Sequence, residues 1–388
     1  MKLVDDLLQM APQMTAWRQT LHRTPELAFE EHETARFVTE QLRDAGLDPI
    51  EGIGGTGVVA TIDSGKPGPT IALRADMDAL PMTDASNTPY ASTRPGCSHS
   101  CGHDGHTAAL LGTARYLASN PPAKGKVVAI FQPAEENGKG ASAMINDGLL
   151  KNHPFDEVYA FHNMPMLEPG EAGVRIGPTL NGFIIWEIEV KGVGGHGAAF
   201  FQATDPVQAA ARLATEISSL VGRYIAPVDT ALITVCKLQA GSNHNIIPDQ
   251  AVLGGTLRAL DKDVQQRLFD KLQQTCDGIA AMTGCDITLN KLAEVPPCFN
   301  SPEAALVARQ ACAEVLGGED KVFPDAGPFP FTDDFAFMLE AAPGAYMFLG
   351  QNSAMCHNPE YDFDDNLLPV AGSIFVNIIE QKLGLSGR

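Results

Sequence analysis

Four runs of strand length constrain this chain more than anything else in it: VVATI at 58–62, TIALRADMD at 70–78, KVVAIFQPAEE at 126–136 and EVYAFHN at 157–163. Each is apolar and rich in β-branched residues, with Gly or Pro close by. Helical spacing of apolar residues marks 3–22 and 30–45 before them, and 107–119 and a stretch near 140–149 among them. Strands alternating with helices predict an α/β fold: a mostly parallel sheet flanked by helices. In such sheets ligands bind beyond the carboxyl ends of the strands. Glu135 and Glu136 stand just past the end of one strand here, and His162 ends another.

Residues 97–106, CSHSCGHDGH, put two cysteines and three histidines into ten positions, between one of these strands and the helix over 107–119. Thiolate and imidazole are the ligands that borderline-soft divalent metals prefer. Cys101 and His103, two apart, point to one side of an extended segment. His162 ends an apolar strand, where an imidazole has no packing role, and His357 follows the apolar run GAYMFLG (344–350) in the same way. His99 and His106 read equally well as partners of a metal ligand or as its neighbours. His22, His32 and His153 read as surface or boundary residues. Glu135 and Glu136 would repel each other at a buried strand end unless a cation were present. Consecutive residues past a strand point apart, so one carboxylate can bind metal while the other faces the attacking water as general base.

From about 183 the order changes: strand 183–190, helix 205–222, strands 230–238 and 250–260, helix 262–283, strand 285–292. This β-α-β-β-α-β order is ferredoxin-like, and it reads as an insertion because the first pattern resumes afterwards. Helices over 301–317 and 333–341, the strand 344–350 and a closing helix over 366–384 follow. The expected division is a catalytic domain in two parts, 1–181 and 294–388, around an inserted lid domain, 182–293. Two domains also suit the length, since 388 residues exceed the roughly 250–300 at which a single core stops growing.

The 47 acidic against 27 basic residues leave a net charge of −20, which opposes binding to nucleic acid or anionic membrane. The N-terminal stretch carries aspartates where an export signal needs an unbroken apolar run, and no apolar stretch is long enough to span a bilayer, so a cytoplasmic location is expected. Eight cysteines at irregular spacing do not form a disulfide framework, and all but Cys101 read as small buried hydrophobes.

Taken in order, PELAFEE (25–31), RADMDALPM (74–82), CGHDGHTA (101–108), QPAEENGKGA (132–141), FHN (161–163), GGHGA (194–198), NHNIIPD (243–249), GTLRAL (255–260), DDFAF (333–337) and CHNPEYDFDDN (356–366) resemble the metal-dependent amidohydrolases that include hippurate hydrolase and the hydrolases of indole-acetyl-amino acids. Aminoacylase and a glutamate-releasing carboxypeptidase are more distant relatives of that family. The resemblance covers nearly the whole chain. It implies a centre of two divalent ions, zinc, manganese, cobalt or nickel, held by Cys101, His103, Glu136, His162 and His357, with Cys101 bridging. It also implies Glu135 as general base and Asp78 as the carboxylate that orients the site. His196 of the lid would stabilise the oxyanion, and Asn245 and Arg258 would lie near the substrate carboxylate. The implied substrate is a small N-acyl amino acid. The exposed sheet edges of the lid would allow a homodimer or homotetramer.

Two departures stand out. Relatives commonly carry Pro-His shortly after the GGH motif, where this chain has Phe200-Phe201, which would put an apolar wall beside His196. Asp333 stands where a glutamate is usual. Two other functions fit a similar donor set: a dinuclear aminopeptidase or dipeptidase, and a metal-loaded binding protein that does not turn over. A pure binder has no use for Glu135 beside a ligating glutamate.

Overall fold

The computed structural model describes residues 1–386 and divides into two compact units. The first comprises Met1–Thr179, Phe299–Pro328 and the chain from Asp333; the second comprises Leu180–Cys298 with Phe329–Thr332.

The first unit is built on an eight-stranded mixed sheet in the order Ile50–Ile53, Gly57–Asp63, Lys126–Gln132, Thr70–Asp76, Glu157–Met164, Gly344–Gly350, Ala172–Gly173, Val322–Phe323. Thr70–Asp76 runs parallel to both Lys126–Gln132 and Glu157–Met164, and Glu157–Met164 runs parallel to Gly344–Gly350. Helices cover these central strands, so their side chains are buried on both faces; all seven residues of Gly344–Gly350 are buried. Each large apolar side chain buried this way contributes about 1.5–3 kcal/mol, which is why the runs read as continuous rather than alternating. Helices His103–Ser119 and Leu367–Leu383 are buried along most of their length, and their Ala- and Leu-rich sequences show little amphipathic contrast.

The second unit is a four-stranded antiparallel sheet in the order Ala231–Ala240, Gln250–Ala259, Gly182–Lys191, Asp286–Val295, with helices Pro206–Ile217 and Lys262–Thr283 packed on it. This is the ferredoxin-like arrangement expected from the element order. Its core centres on Trp186, for which Gly255 leaves room: a Cβ there would lie 2.5 Å from the indole ring. Asp205 caps Pro206–Ile217, accepting from the N–H groups of Val207 and Gln208.

Several boundaries differ from expectation. The helix expected over 107–119 starts at His103, because Gly102 adopts a left-handed conformation (φ +99°) that turns the loop straight into the helix. The helix expected over 205–222 breaks at Ser218-Ser219 into Pro206–Ile217 and Leu220–Tyr224. Among the described residues no helix is long and apolar enough to cross a membrane.

Candidate metal centre

Four parallel strands deliver the polar groups of the first unit to one end of the sheet. Thr70–Asp76 ends at Asp76 and leads to Asp78. Lys126–Gln132 leads to Glu135 and Glu136, Glu157–Met164 carries His162, and Gly344–Gly350 leads to the loop bearing His357. Past Gln132 the chain turns at Ala134, a non-glycine residue at φ +53°, held there by its N–H, which donates to Glu31 Oε1 at 2.8 Å. That turn sends the two glutamates over the strand end. His357 is left-handed as well, at φ +64°.

The donor atoms of Cys101, His103 and His162 all lie within 4.8 Å of one another, and so do those of Cys101, Glu136 and His357. Cys101 belongs to both triads. Its Sγ is 3.3 Å from His162 Nε2, and His357 Nε2 is 3.4 Å from Glu136 Oε1. His103 Nε2 is 3.9 Å from both Glu135 Oε2 and Glu136 Oε1.

Two of the imidazoles, those of His103 and His162, are oriented from behind. His103 Nδ1 is 2.9 Å from the Asp78 carbonyl oxygen and 3.3 Å from its Oδ1, and His162 Nδ1 is 2.7 Å from the Asn163 carbonyl oxygen. With Nδ1 held by a carbonyl oxygen, both rings turn Nε2 towards the cluster, as a metal-binding histidine requires. His103 Nε2 and Glu136 Oε1 are buried with no hydrogen-bond partner. Buried polar atoms are almost always satisfied, so a pair of orphans in a cluster of soft and hard donors fits a divalent cation.

The electrostatics agree. Burial pushes the Glu135 carboxyl well above the usual range, and Asp333, Glu136 and Asp334 push it further the same way. Burial would lower the basicity of His103, but Asp76, Asp78 and Glu136 outweigh it and raise the ring to about 10. Crowded carboxylates and a cationic imidazole are the pattern that a bound cation would relieve.

The structure thus brings Cys101, His103, Glu135, Glu136, His162, His357 and Asp78 together. His196, Asn245 and Arg258 belong to the second unit. There His196 pairs with Ile246 in a two-stranded ribbon, its Nδ1 accepting from the Ala198 N–H, and Gly197 N–H donates to the Asn245 carbonyl. Phe200 and Phe201 follow, 68% and 74% exposed and packed edge to face. Arg258 donates to Thr332 Oγ1 at 3.1 Å and lies over the Phe183 ring.

One histidine differs from expectation, and the alternatives left open for another are decided. His22 is not a surface residue: it is buried, 2.8 Å from Asp104 Oδ2 and 3.3 Å from Asp84 Oδ2, partners that come from far along the chain. His106 has both ring nitrogens engaged, by Asp76 Oδ1 at 2.6 Å and Asn163 Oδ1 at 2.7 Å, and so supports the site rather than offering a donor. Sequence reasoning also passed over Arg74, which is buried and paired with Asp76, Asp333 and Asp334. The signal was available, since an arginine inside the apolar run TIALRAD has to find acidic partners.

Comparisons with known proteins show the family. Residues 72–381 match the model of peptidase family M20/M25/M40. The chain is 37% identical to a hippurate hydrolase of Campylobacter jejuni over 97% of its own length and 98% of the relative's. It is 35% identical to an N-acetyl-L-cysteine deacetylase of Bacillus subtilis over 94% of its length and 86% of that protein's. The crystal structure of a dinuclear metal binding peptidase from Bacillus subtilis superposes with a TM-score of 0.84 at 31% identity, covering 97% of this chain and 99% of that one. A match spanning most of the sequence, with relatives aligned nearly end to end, makes this chain a member of peptidase family M20/M25/M40.

Proposed function

We propose that this protein is a metal-dependent amidohydrolase that cleaves the amide bond of an N-acyl amino acid, releasing a carboxylic acid and a free amino acid. The observation that carries the reading is the position of Glu135: its carboxylate stands beside the orphaned His103 Nε2 and Glu136 Oε1 and outside the two triads that share Cys101. Relatives named for hydrolysing hippurate and deacetylating N-acetyl-L-cysteine support the substrate class.

Cys101, His103, Glu136, His162 and His357 would hold two divalent ions. Bound there, such ions polarise the amide carbonyl and make water acidic enough to be deprotonated near neutral pH. Glu135 accepts the proton of the attacking water and passes it to the leaving amine. Asp78 keeps both glutamates and His103 in place. His196 donates to the oxyanion, and Asn245 and Arg258 receive the carboxylate of the amino acid, as the resemblance implies. Phe200 and Phe201, exposed in the segment that carries His196, favour an apolar acyl group. We place the enzyme in the cytoplasm, where eight free cysteines are at home, and assign any homo-oligomer to the edges of the second unit's sheet.

The test is a substrate panel: N-acetyl, N-benzoyl and longer N-acyl amino acids against free-amine dipeptides, with metal-free protein reloaded with zinc, manganese, cobalt or nickel. Turnover confined to N-acylated substrates is the expected result. Turnover confined to free-amine dipeptides would replace the reading with a dipeptidase, and no turnover with any metal would leave a binding protein.

A further inference from the structure

Cys356 precedes His357 and stands outside both donor triads. It is half-buried, and its thiol lies near enough to that of Cys101 for the two to interact. Its Sγ also lies 3.7 Å from the Cys101 carbonyl oxygen and accepts from Asn163 Nδ2 at 3.3 Å. The backbones are joined at the same point, where the His357 N–H donates to the Ser100 carbonyl at 2.7 Å. Cys356 Sγ thus touches the backbone of Cys101 beside its thiol, and the Cys101 sulfur is the donor that both triads share.

We propose that Cys101 and Cys356 are a reversible oxidation site: in metal-free protein a peroxide joins them as a disulfide, and the disulfide closes the centre to metal. Cys356, the more exposed of the two, reacts first. Its sulfur attacks a peroxide oxygen, the O–O bond breaks, and a sulfenic acid and water result. The Cys101 sulfur then attacks the Cys356 sulfur; the S–S bond forms, the S–O bond breaks and a second water leaves. The two thiols give up two electrons and two protons, and hydrogen peroxide takes them up as two waters. A small dithiol reverses the change by exchange. Metal binding and oxidation compete because both need the Cys101 sulfur. This competition, unlike the disulfide itself, rests on the proposed role of Cys101 as a ligand.

The experiment treats chelator-stripped protein with hydrogen peroxide and follows free thiols, intact mass, peptide maps and zinc uptake. The expected result is a fall from the eight thiols of the reduced chain to six, the loss of two hydrogens in mass, a mapped Cys101–Cys356 link and no zinc uptake until dithiothreitol restores the thiols. Cys356→Ser should form no intramolecular link and should keep its zinc uptake under the same treatment. Eight thiols retained, or a link mapped between other cysteines, would overturn the proposal. Zinc-loaded protein should resist the peroxide. Oxidation of that form at an undiminished rate would refute the competition and, with it, Cys101 as a metal ligand, while leaving the disulfide in metal-free protein standing.

Discussion

The Asp78 carboxylate accepts the backbone N–H of Glu135 on Oδ1 at 3.0 Å. Its other oxygen accepts the N–H of Glu136, also at 3.0 Å, and Oδ1 lies 3.3 Å from His103 Nδ1. One buried carboxylate therefore fixes the proposed base, one proposed ligand glutamate and one proposed ligand histidine. Asp78→Asn turns one acceptor into a donor that faces a backbone N–H. Losing such support behind a ligand typically weakens metal binding about 10- to 100-fold. Competitive zinc titration of folded Asp78→Asn protein should show a loss of that size, and unchanged affinity would mean that Asp78 merely fills space.

Glu135 is crowded by Asp333 and Asp334 as well as by Glu136, and burial holds its carboxyl well above the usual range. To accept a proton from water near neutral pH the group must be ionised, and a bound cation beside it would offset this crowding. Glu135→Gln keeps the shape and removes the proton acceptor. The variant should retain its metal content while its kcat falls by about two to four orders of magnitude. A fall in metal content of the same proportion would instead make Glu135 a ligand.

Much of this arrangement is legible in the chain because burial on two faces writes continuous apolar runs, against which a terminal polar residue stands out. Glu135, Glu136, His162 and His357 are each found by that contrast, and Cys101 and His103 by crowding. The start of the helix at His103 is not legible, because it depends on the left-handed turn at Gly102 rather than on any periodicity. The burial of Arg74 and His22 depends on partners remote in sequence; Asp333 lies 259 positions from Arg74. The two-residue strands Ala172–Gly173 and Val322–Phe323 are too short to carry a period, and nothing local marks Phe329–Thr332 as part of the second unit.

Gly102 can be tested directly. At φ +99° it occupies backbone space that L-residues rarely adopt, and a Cβ added there would collide with the Asn163 side chain and the Tyr361 hydroxyl. Asn163 also holds His106 and Cys356, so the collision spreads into the site. Gly102→Ala should cost about 1–3 kcal/mol in backbone strain alone and lower metal affinity as Cys101 and His103 shift. Urea denaturation and metal titration of the same sample measure both effects; wild-type values in each would show that the turn relaxes freely.

His22 offers a test through pH. Burial disfavours its cation, but Asp104 and Asp84 outweigh burial and the opposing charge of Arg18, raising the ring from 6.5 to about 9. A group whose pKa is raised by folding stabilises the folded state fully below its unfolded pKa, and the contribution is lost as pH rises through the folded value. The window is therefore about pH 6.5 to 9. At about 1.4 kcal/mol per pH unit the stake is on the order of 3 kcal/mol. Urea denaturation of wild-type protein and His22→Gln, with metal saturating, should show a stability gap that is largest near pH 6 and shrinks by about that amount by pH 9.5. A gap that stays constant across this range would mean that His22 is neutral in the folded protein and that Asp104 is balanced by Arg18, 3.6 Å away, alone.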